Sequence, residues 1–322
     1  MTDDTHVTSL HRPSAIDPEI LTFVEKTSAE FAALSGGQPV SITRRREIAE
    51  KVREPWVRGG PEMAQTQTRV MEQNGLRVRI HIPKTGAGNG TLFYLHGGGW
   101  VMFSIDTHDR LMREYAERAG CAVIGLDYSL SPEHRFPRAL DDIDSCMAWL
   151  RAEGSALGLN IDRIVLGGDS AGGNLSLATA LRMRDRGEPL PAGLLLNYAA
   201  LDTDARPSYR LYDGDPYMLG GDEMDAFWFD YLGAAQTSNP YARPLLASLE
   251  GLPPVHLCIA ECDILADENR ELESRLTAAG VDVSAIEYPG ATHSFLEAVG
   301  ISSCADRAMS DAAAWISGIL AR

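Results

Sequence analysis

No apolar run in these 322 residues approaches the ~18 needed to cross a bilayer, and the opening "MTDDTHVTSLHRPS" has no apolar core of the kind an export signal carries. The expectation is a chain without a membrane span, in the cytoplasm. Positive charge is also scarce: 29 Lys and Arg face 45 Asp and Glu, a net of -16. Neutralising phosphates takes clustered basic side chains, so this balance speaks against nucleic acid, anionic membrane surfaces and strongly anionic substrates. The one dense basic run, "TRRRE" (Thr43 to Glu47), spreads its arginines around a helix and reads as a solvated face. Cysteines are few and odd in number, and Cys121, Cys146, Cys258, Cys262 and Cys304 sit mostly in apolar stretches. That pattern fits reduced core thiols rather than a disulfide framework. Cys258 and Cys262 lack the His or Cys partners of a zinc site, so no metal is expected. Internal repeats are absent.

Against these absences stands ordinary globular composition, 44% hydrophobic and 23% charged, in a chain long enough for a sizeable core. Strand-like apolar runs occupy 91–96, 121–128, 163–169, 192–198, 254–261 and 282–288. Helical periodicities separate them, as in Leu111, Met112, Tyr115 and Ala119, or Leu140, Ile143, Met147 and Leu150. "TRVME" and "LRVRIHI" around Asn74-Gly75 read as an antiparallel hairpin with a type I′ turn. The pattern predicts an α/β fold, with a mostly parallel sheet of about eight strands and helices on both faces. Two segments break the alternation. Residues 1–55 are helical, and residues 203–245, rich in Tyr, Phe, Trp and Asp, interrupt the repeat. Insertions over the carboxyl ends of parallel strands sit where ligands bind, so both read as a cap over a unit made of 56–202 and 246–322.

In "IVLGGDSAGGN" a strand ends and a helix begins, the context required of a G-x-S-x-G nucleophile elbow, here Gly168-Asp169-Ser170-Ala171-Gly172. The glycines relieve crowding in the tight turn, and the helix N-terminus supplies free N–H groups for developing negative charge. An earlier strand closes on "YLHGGGW" (Tyr94 to Trp100), where three glycines leave the backbone N–H groups unshielded. An oxyanion needs two or three donors aimed at one point; Gly98, Gly99 and Ala171 are the candidates, with His96 a brace for the loop.

With "HGGGWV", "DYSLSPEHRFPRALDD" (127–142) and "GDSAGGNL" in this order, the sequence resembles the hormone-sensitive-lipase-like bacterial esterases among the α/β-hydrolases, and looks most similar to acetyl-esterase-type members. The resemblance spans residues 90–320. It implies the α/β-hydrolase fold with a helical cap, serine esterase activity on small-molecule esters, and no cofactor. Residues 1–60 and 203–245 match the family's cap in position and character only.

A serine hydroxyl needs a base to take its proton and an acid to orient that base, in the chain order Ser, Asp or Glu, His. Only His256 and His293 follow Ser170. His256 lies inside an apolar strand and reads as a core residue, whereas His293 in "YPGATHSF" follows a strand and is the expected base. Acid candidates are Glu261, Asp263, Asp267 and Glu268; the last two fall in the first turn of a helix, where carboxylates commonly complement the dipole. The family's D-x-L-x-D-E pattern is matched by "DILADE", which implies Asp263, with Ile264 in place of the usual proline. Phe103 stands where the family has a small glycine soon after HGGGW, and its ring is expected in the pocket or the core. Trp100, Tyr198 and Tyr209 are further candidates for the cleft, as are Phe227 and Trp228. These residues predict acyl transfer on acetyl to about hexanoyl esters. The same triad would serve a lactonase or amidase, since the cap chooses the leaving group; non-catalytic receptors of this fold lack the histidine. Strand 282–287 is expected at a sheet edge and therefore as a homodimer contact, with Asp282 and Glu287 offset by Arg275 or Arg307.

Overall fold

The strand and helix patterns resolve, in the computed structural model, into one eight-stranded sheet; the structure describes residues 14–234 and 238–322. The part of the expected N-terminal cap at 1–13 lies outside the described residues. The strands are β1 (Gln65–Val70), β2 (Arg77–Ile82), β3 (Thr91–Leu95), β4 (Ala122–Leu126), β5 (Ile164–Asp169), β6 (Gly193–Asn197), β7 (Val255–Cys262) and β8 (Val283–Thr292). Their order across the sheet is β1-β2-β4-β3-β5-β6-β7-β8. β2 runs antiparallel to both neighbours and all other pairings are parallel. Strands β3 to β7 are buried along their whole length, as parallel strands covered on both faces must be.

Two apolar cores, one per face, account for that burial. Helices α3 (Asp109–Ala119) and α9 (Ser303–Leu320) pack on one face together with α1 (Pro18–Ser35). On the other lie α4 (Arg138–Glu153), α5 (Ala171–Asp185) and α8 (Ala266–Ala278). α1 starts on an Asp17 cap that accepts from the N–H groups of Glu19 and Ile20, and α2 (Ile42–Val57) on a Ser41 cap to Arg44. Between β6 and β7 stand α6 (Ser208–Leu211) and α7 (Gly221–Leu232). The chain leaves β3 toward β4 on one side and β5 toward β6 on the other. The crevice between the carboxyl ends of β3 and β5 is therefore a topological switch point, where open α/β sheets bind ligands.

Several expectations change. The β1–β2 connection is a longer loop, with the Met71 N–H bonded to the Leu76 carbonyl at 2.9 Å. Type I′ needs a positive φ at both central residues; Gly75 has one (74°) and Asn74 does not. Two of the three arginines in the basic run are tied to the body of the protein, while Arg44 stays exposed as expected, paired with Glu47. Arg46 bonds the carbonyls of Val101 and Ser131, each at 2.7 Å, and pairs with Glu133; Arg45 pairs with Glu223 of α7. β8 does form an edge of the sheet, but its charges are offset by other partners than expected. Asp282 meets Arg322 and Glu287 meets Arg270, while Arg275 bonds backbone carbonyls of Leu245 and Ala247. The strand also runs four residues past 288, ending next to His293.

Candidate active site

Ser170 sits between β5 and α5 with φ 52° and ψ -118°, a conformation L-residues avoid. The turn is possible because nothing but hydrogen fits at Gly172, where a Cβ would collide with the Leu95 carbonyl oxygen of β3. β3 and the start of α5 thereby approach closely enough to bring the two glycine motifs together. The N–H groups of Gly98, Gly99 and Ala171 have no protein acceptor among the described residues. Phe227 of α7 lies directly on Gly99, whose φ of 59° and lack of a Cβ admit the ring.

Asp169, a charge at the end of an apolar strand, props the glycine loop from below. It accepts from the Tyr94 hydroxyl at 2.8 Å and the Gly97 N–H at 3.1 Å, with His108 Nε2 3.4 Å away. Burial alone would raise its pKa, but the facing His108 and the hydrogen bonds hold it below the usual carboxylate range. His96 stacks on Tyr128 and its Nδ1 lies 2.8 Å from the Gly97 carbonyl; burial lowers its pKa to about 3, so it is neutral.

Three side chains meet at the strand ends. His293 Nε2 lies 3.0 Å from Ser170 Oγ, and His293 Nδ1 lies 2.7 Å from Asp263 Oδ2. Asp263 follows β7 directly, and its other oxygen accepts from the Leu265 N–H at 3.0 Å. Burial pulls the His293 pKa down, yet the charge and hydrogen bond of Asp263, with the charges of Asp169 and Glu223, leave it above the ordinary histidine value. The other carboxylates are engaged elsewhere. Glu261 accepts from Gly290 N–H, Asp267 from Ser208 N–H and Glu268 from Leu201 N–H. His256 is buried in β7 beside Ser284.

Above Ser170 opens a cavity of about 420 Å³, a size suited to a small organic ligand. Gly98, Gly99, Ser170 and His293 form its floor, and Phe103 and Phe227 line it. Trp100, Tyr198 and Tyr209 do not line it. The Trp100 ring is buried and stacked on Tyr231 at 4.3 Å, with Trp228 beside it, because the turn after Gly99 points it into the core. Tyr198 lies beneath the site, edge-on to His293 at 5.1 Å, and Tyr209 packs near Gly221. Unforeseen wall residues are Arg45 and Arg53 from α2, Phe31 from α1 and Glu223 from α7. A signal for Arg53 did exist: it interrupts the buried stripe Ile48, Ala49, Val52 of α2. Of the six non-glycine residues with positive φ among the described residues, Phe103, Ser170, Met218 and Ser294 line this cavity, Tyr198 packs against His293 of its floor, and Trp100 follows Gly99 in the chain. Backbone strain so confined marks a functional site.

This fold and this constellation are those of an α/β-hydrolase, and comparison with known proteins agrees. The family described as alpha/beta hydrolase fold matches residues 92–297. An ester-hydrolase from the metagenome of Lake Arreo, complexed with a derivative of bipyridine phosphonate, superposes with a TM-score of 0.86 at 31% identity, over 95% of this chain and 100% of that one. A hyperthermophilic esterase from the archaeon Pyrobaculum calidifontis gives 0.86 at 30% identity, over 95% and 99%. An esterase from the bacterial hormone-sensitive lipase family gives 0.82 at 28%, over 95% and 99%. The chain belongs to the alpha/beta hydrolase fold family. Within it, the chain is one of the hormone-sensitive-lipase-like bacterial esterases, a carboxylic ester hydrolase.

Proposed function

We propose that this carboxylesterase cleaves short-chain esters, acetyl to about hexanoyl, with Ser170 as nucleophile, His293 as general base and acid, and Asp263 as its orienting acid. The observation that carries this reading is the hydrogen-bonded chain Ser170–His293–Asp263 on the floor of the cavity. With the His293 proton on Nδ1 toward the carboxylate, Nε2 accepts the Ser170 proton as Oγ bonds the ester carbonyl carbon. The oxygen that becomes negative meets the free N–H groups of Gly98, Gly99 and Ala171. The carbon–alkoxy bond then breaks, the alcohol leaving with the proton from Nε2, and water repeats the sequence on the acyl-enzyme. Acyl transfer by these groups is complete without a cofactor.

The cavity's 420 Å³ and the Phe103 ring in its wall support the chain-length limit. We read α1, α2 and residues 203–245 as a cap, on the ground that their side chains form those walls. Five unpaired buried thiols suit a reducing compartment, so the cytoplasm is the proposed location, and pairing through β8 the proposed route to a homodimer. The test is turnover of p-nitrophenyl esters from acetyl to dodecanoyl. Highest kcat/KM at or below hexanoyl, lost in Ser170→Ala, supports the reading; activity surviving in that variant, or an optimum at long chains, overturns it.

A further inference from the structure

One wall of the cavity is built at a cost that a pocket for plain alkyl chains would not require. Arg53 is 9% exposed and Glu297 7%, and the two form an ion pair with Arg53 Nε 2.6 Å and Nη2 3.3 Å from the carboxylate. Removing two charges from water is expensive, and apolar residues of the same volume often serve stability as well or better. The guanidinium also lies over two aromatic rings, with its carbon 4.8 Å from the centroid of Phe103 and 5.7 Å from that of Phe23. Phe103 itself stands at φ 70°, a left-handed conformation unfavourable for an L-residue. Glu297 engages Nε and one proton of Nη2, so Nη1, on a residue of the cavity wall, is left with no protein acceptor among the described residues.

We propose that Arg53 Nη1 is a recognition donor, and that the preferred substrates carry a second, uncharged oxygen acceptor besides the ester group, as hydroxy-, keto- and alkoxy-substituted esters do. The proposal rests on the reading of Ser170 as the nucleophile in this cavity. Charge decides for a neutral acceptor over a carboxylate. Arg53 is already balanced by Glu297 and Arg45 by Glu223, and Asp215 at the rim adds a negative charge. The two rings and the ion pair hold the guanidinium in one orientation, so little side-chain freedom is lost when a substrate oxygen meets it.

The test compares isosteric ester pairs that differ by one oxygen. On the acyl side, 4-methoxybutyryl is set against hexanoyl and 4-oxopentanoyl against 4-methylpentanoyl, all as p-nitrophenyl esters; on the alcohol side, 2-methoxyethyl acetate is set against butyl acetate. Each kcat/KM ratio is divided by the ratio of alkaline hydrolysis rates for the same pair, which removes intrinsic reactivity. In the wild type at least one normalised ratio should exceed unity by about tenfold, the scale of one hydrogen bond to a charged donor. The pair that shows it identifies which side of the ester reaches Arg53. The ratio should fall toward unity in Arg53→Met/Glu297→Met, which leaves no buried charge unpaired, and in Arg53→Lys, which retains the cation without the second fork. A p-nitrophenyl half-ester of glutaric acid should be poorer than either member of the acyl pairs. Normalised ratios within twofold of unity in the wild type, or preference for the half-ester, overturn this inference while ester turnover itself leaves the nucleophile reading intact. If no ester is turned over and an organophosphonate fails to label Ser170, the underlying reading falls and this one with it.

Discussion

The floor of the cavity and its walls are held by different physics. Ser170, Gly98 and Gly99 stand at strand ends, their positions dictated by hydrogen-bonded parallel strands and by turns where a missing Cβ lets backbones touch. The walls come from α1, α2 and α7, segments remote in sequence, tied across the opening by side-chain contacts such as Arg45 to Glu223 and the Arg45 guanidinium over the Phe227 ring at 5.2 Å. A floor set by backbone geometry tolerates almost no change. Walls set by side chains can be re-chosen residue by residue, so chemistry and selectivity become separable properties of one pocket.

The separation is sharpest if floor variants abolish turnover while folding survives. Ser170→Ala and His293→Ala should lower kcat by roughly 10⁴- to 10⁶-fold with an unchanged thermal melt. Asp263→Asn should be nearly as damaging, whereas Asp267→Asn, which only loses Ser208 and Arg270 as partners, should not. Retention of more than about a tenth of turnover in His293→Ala would break the assignment of the base.

A less severe test lies where the two regions touch. Gly99→Ala puts a methyl into the Phe227 ring and disturbs a proposed oxyanion donor, with an expected loss on the order of 10²-fold in kcat. Adding Phe227→Ala should restore part of it. If the double variant is no better than the single, the backbone conformation at Gly99, rather than wall pressure on the floor, governs the donor.

In the wall alone, Phe103→Gly relieves a strained φ and removes a ring from the cavity, so the chain-length optimum should move upward. An unchanged acyl profile would remove Phe103 from the determinants of selectivity. Wall charges reach the floor only weakly, through the field at His293. The proposed base must be neutral to act, so kcat/KM should rise with pH through a His293 pKa above the ordinary value. Glu223 contributes to that elevation, so Glu223→Gln should move this acid limb to lower pH by a fraction of a unit. A limb that stays put or moves upward would deny that the wall tunes the base.

The smallest effect concerns stability beneath the floor. Burial lowers the His256 pKa to about 4 from the ordinary 6.5. Between those values the unfolded chain binds a proton there that the folded chain does not, so stability falls as pH drops from 6.5 toward 4 and is undiminished above 6.5. Urea midpoints measured across that window should fall less in His256→Gln. Equal slopes in the two proteins would show that this histidine does not drive the loss.

How much of this was legible before folding follows from the range of the forces involved. The sheet, the elbow at Ser170 and the glycine loop are written in neighbouring residues, because period-2 and 3.6 patterns, tight turns and bare N–H groups are local requirements of the backbone. His293 followed from chain order, and Asp263 from chain order and the family's D-x-L-x-D-E pattern. The hairpin turn was misread because Asn74-Gly75 is compatible with several loop lengths and only the strand register chooses among them. Trp100, Tyr198 and Tyr209 carried no signal for direction: a ring beside a catalytic motif points to cavity or core according to φ at its own residue and the packing around it. The same holds for Arg45 and Glu223, which meet the cavity only because α2 and α7 cross above the strand ends; Arg53 alone left a trace, as a charge within the apolar stripe of α2. Local sequence thus determined where the serine turn, the glycine loop and the proposed triad stand. What lines the space above them was decided by tertiary packing, since contacts between segments more than a hundred residues apart leave no periodic trace along the chain.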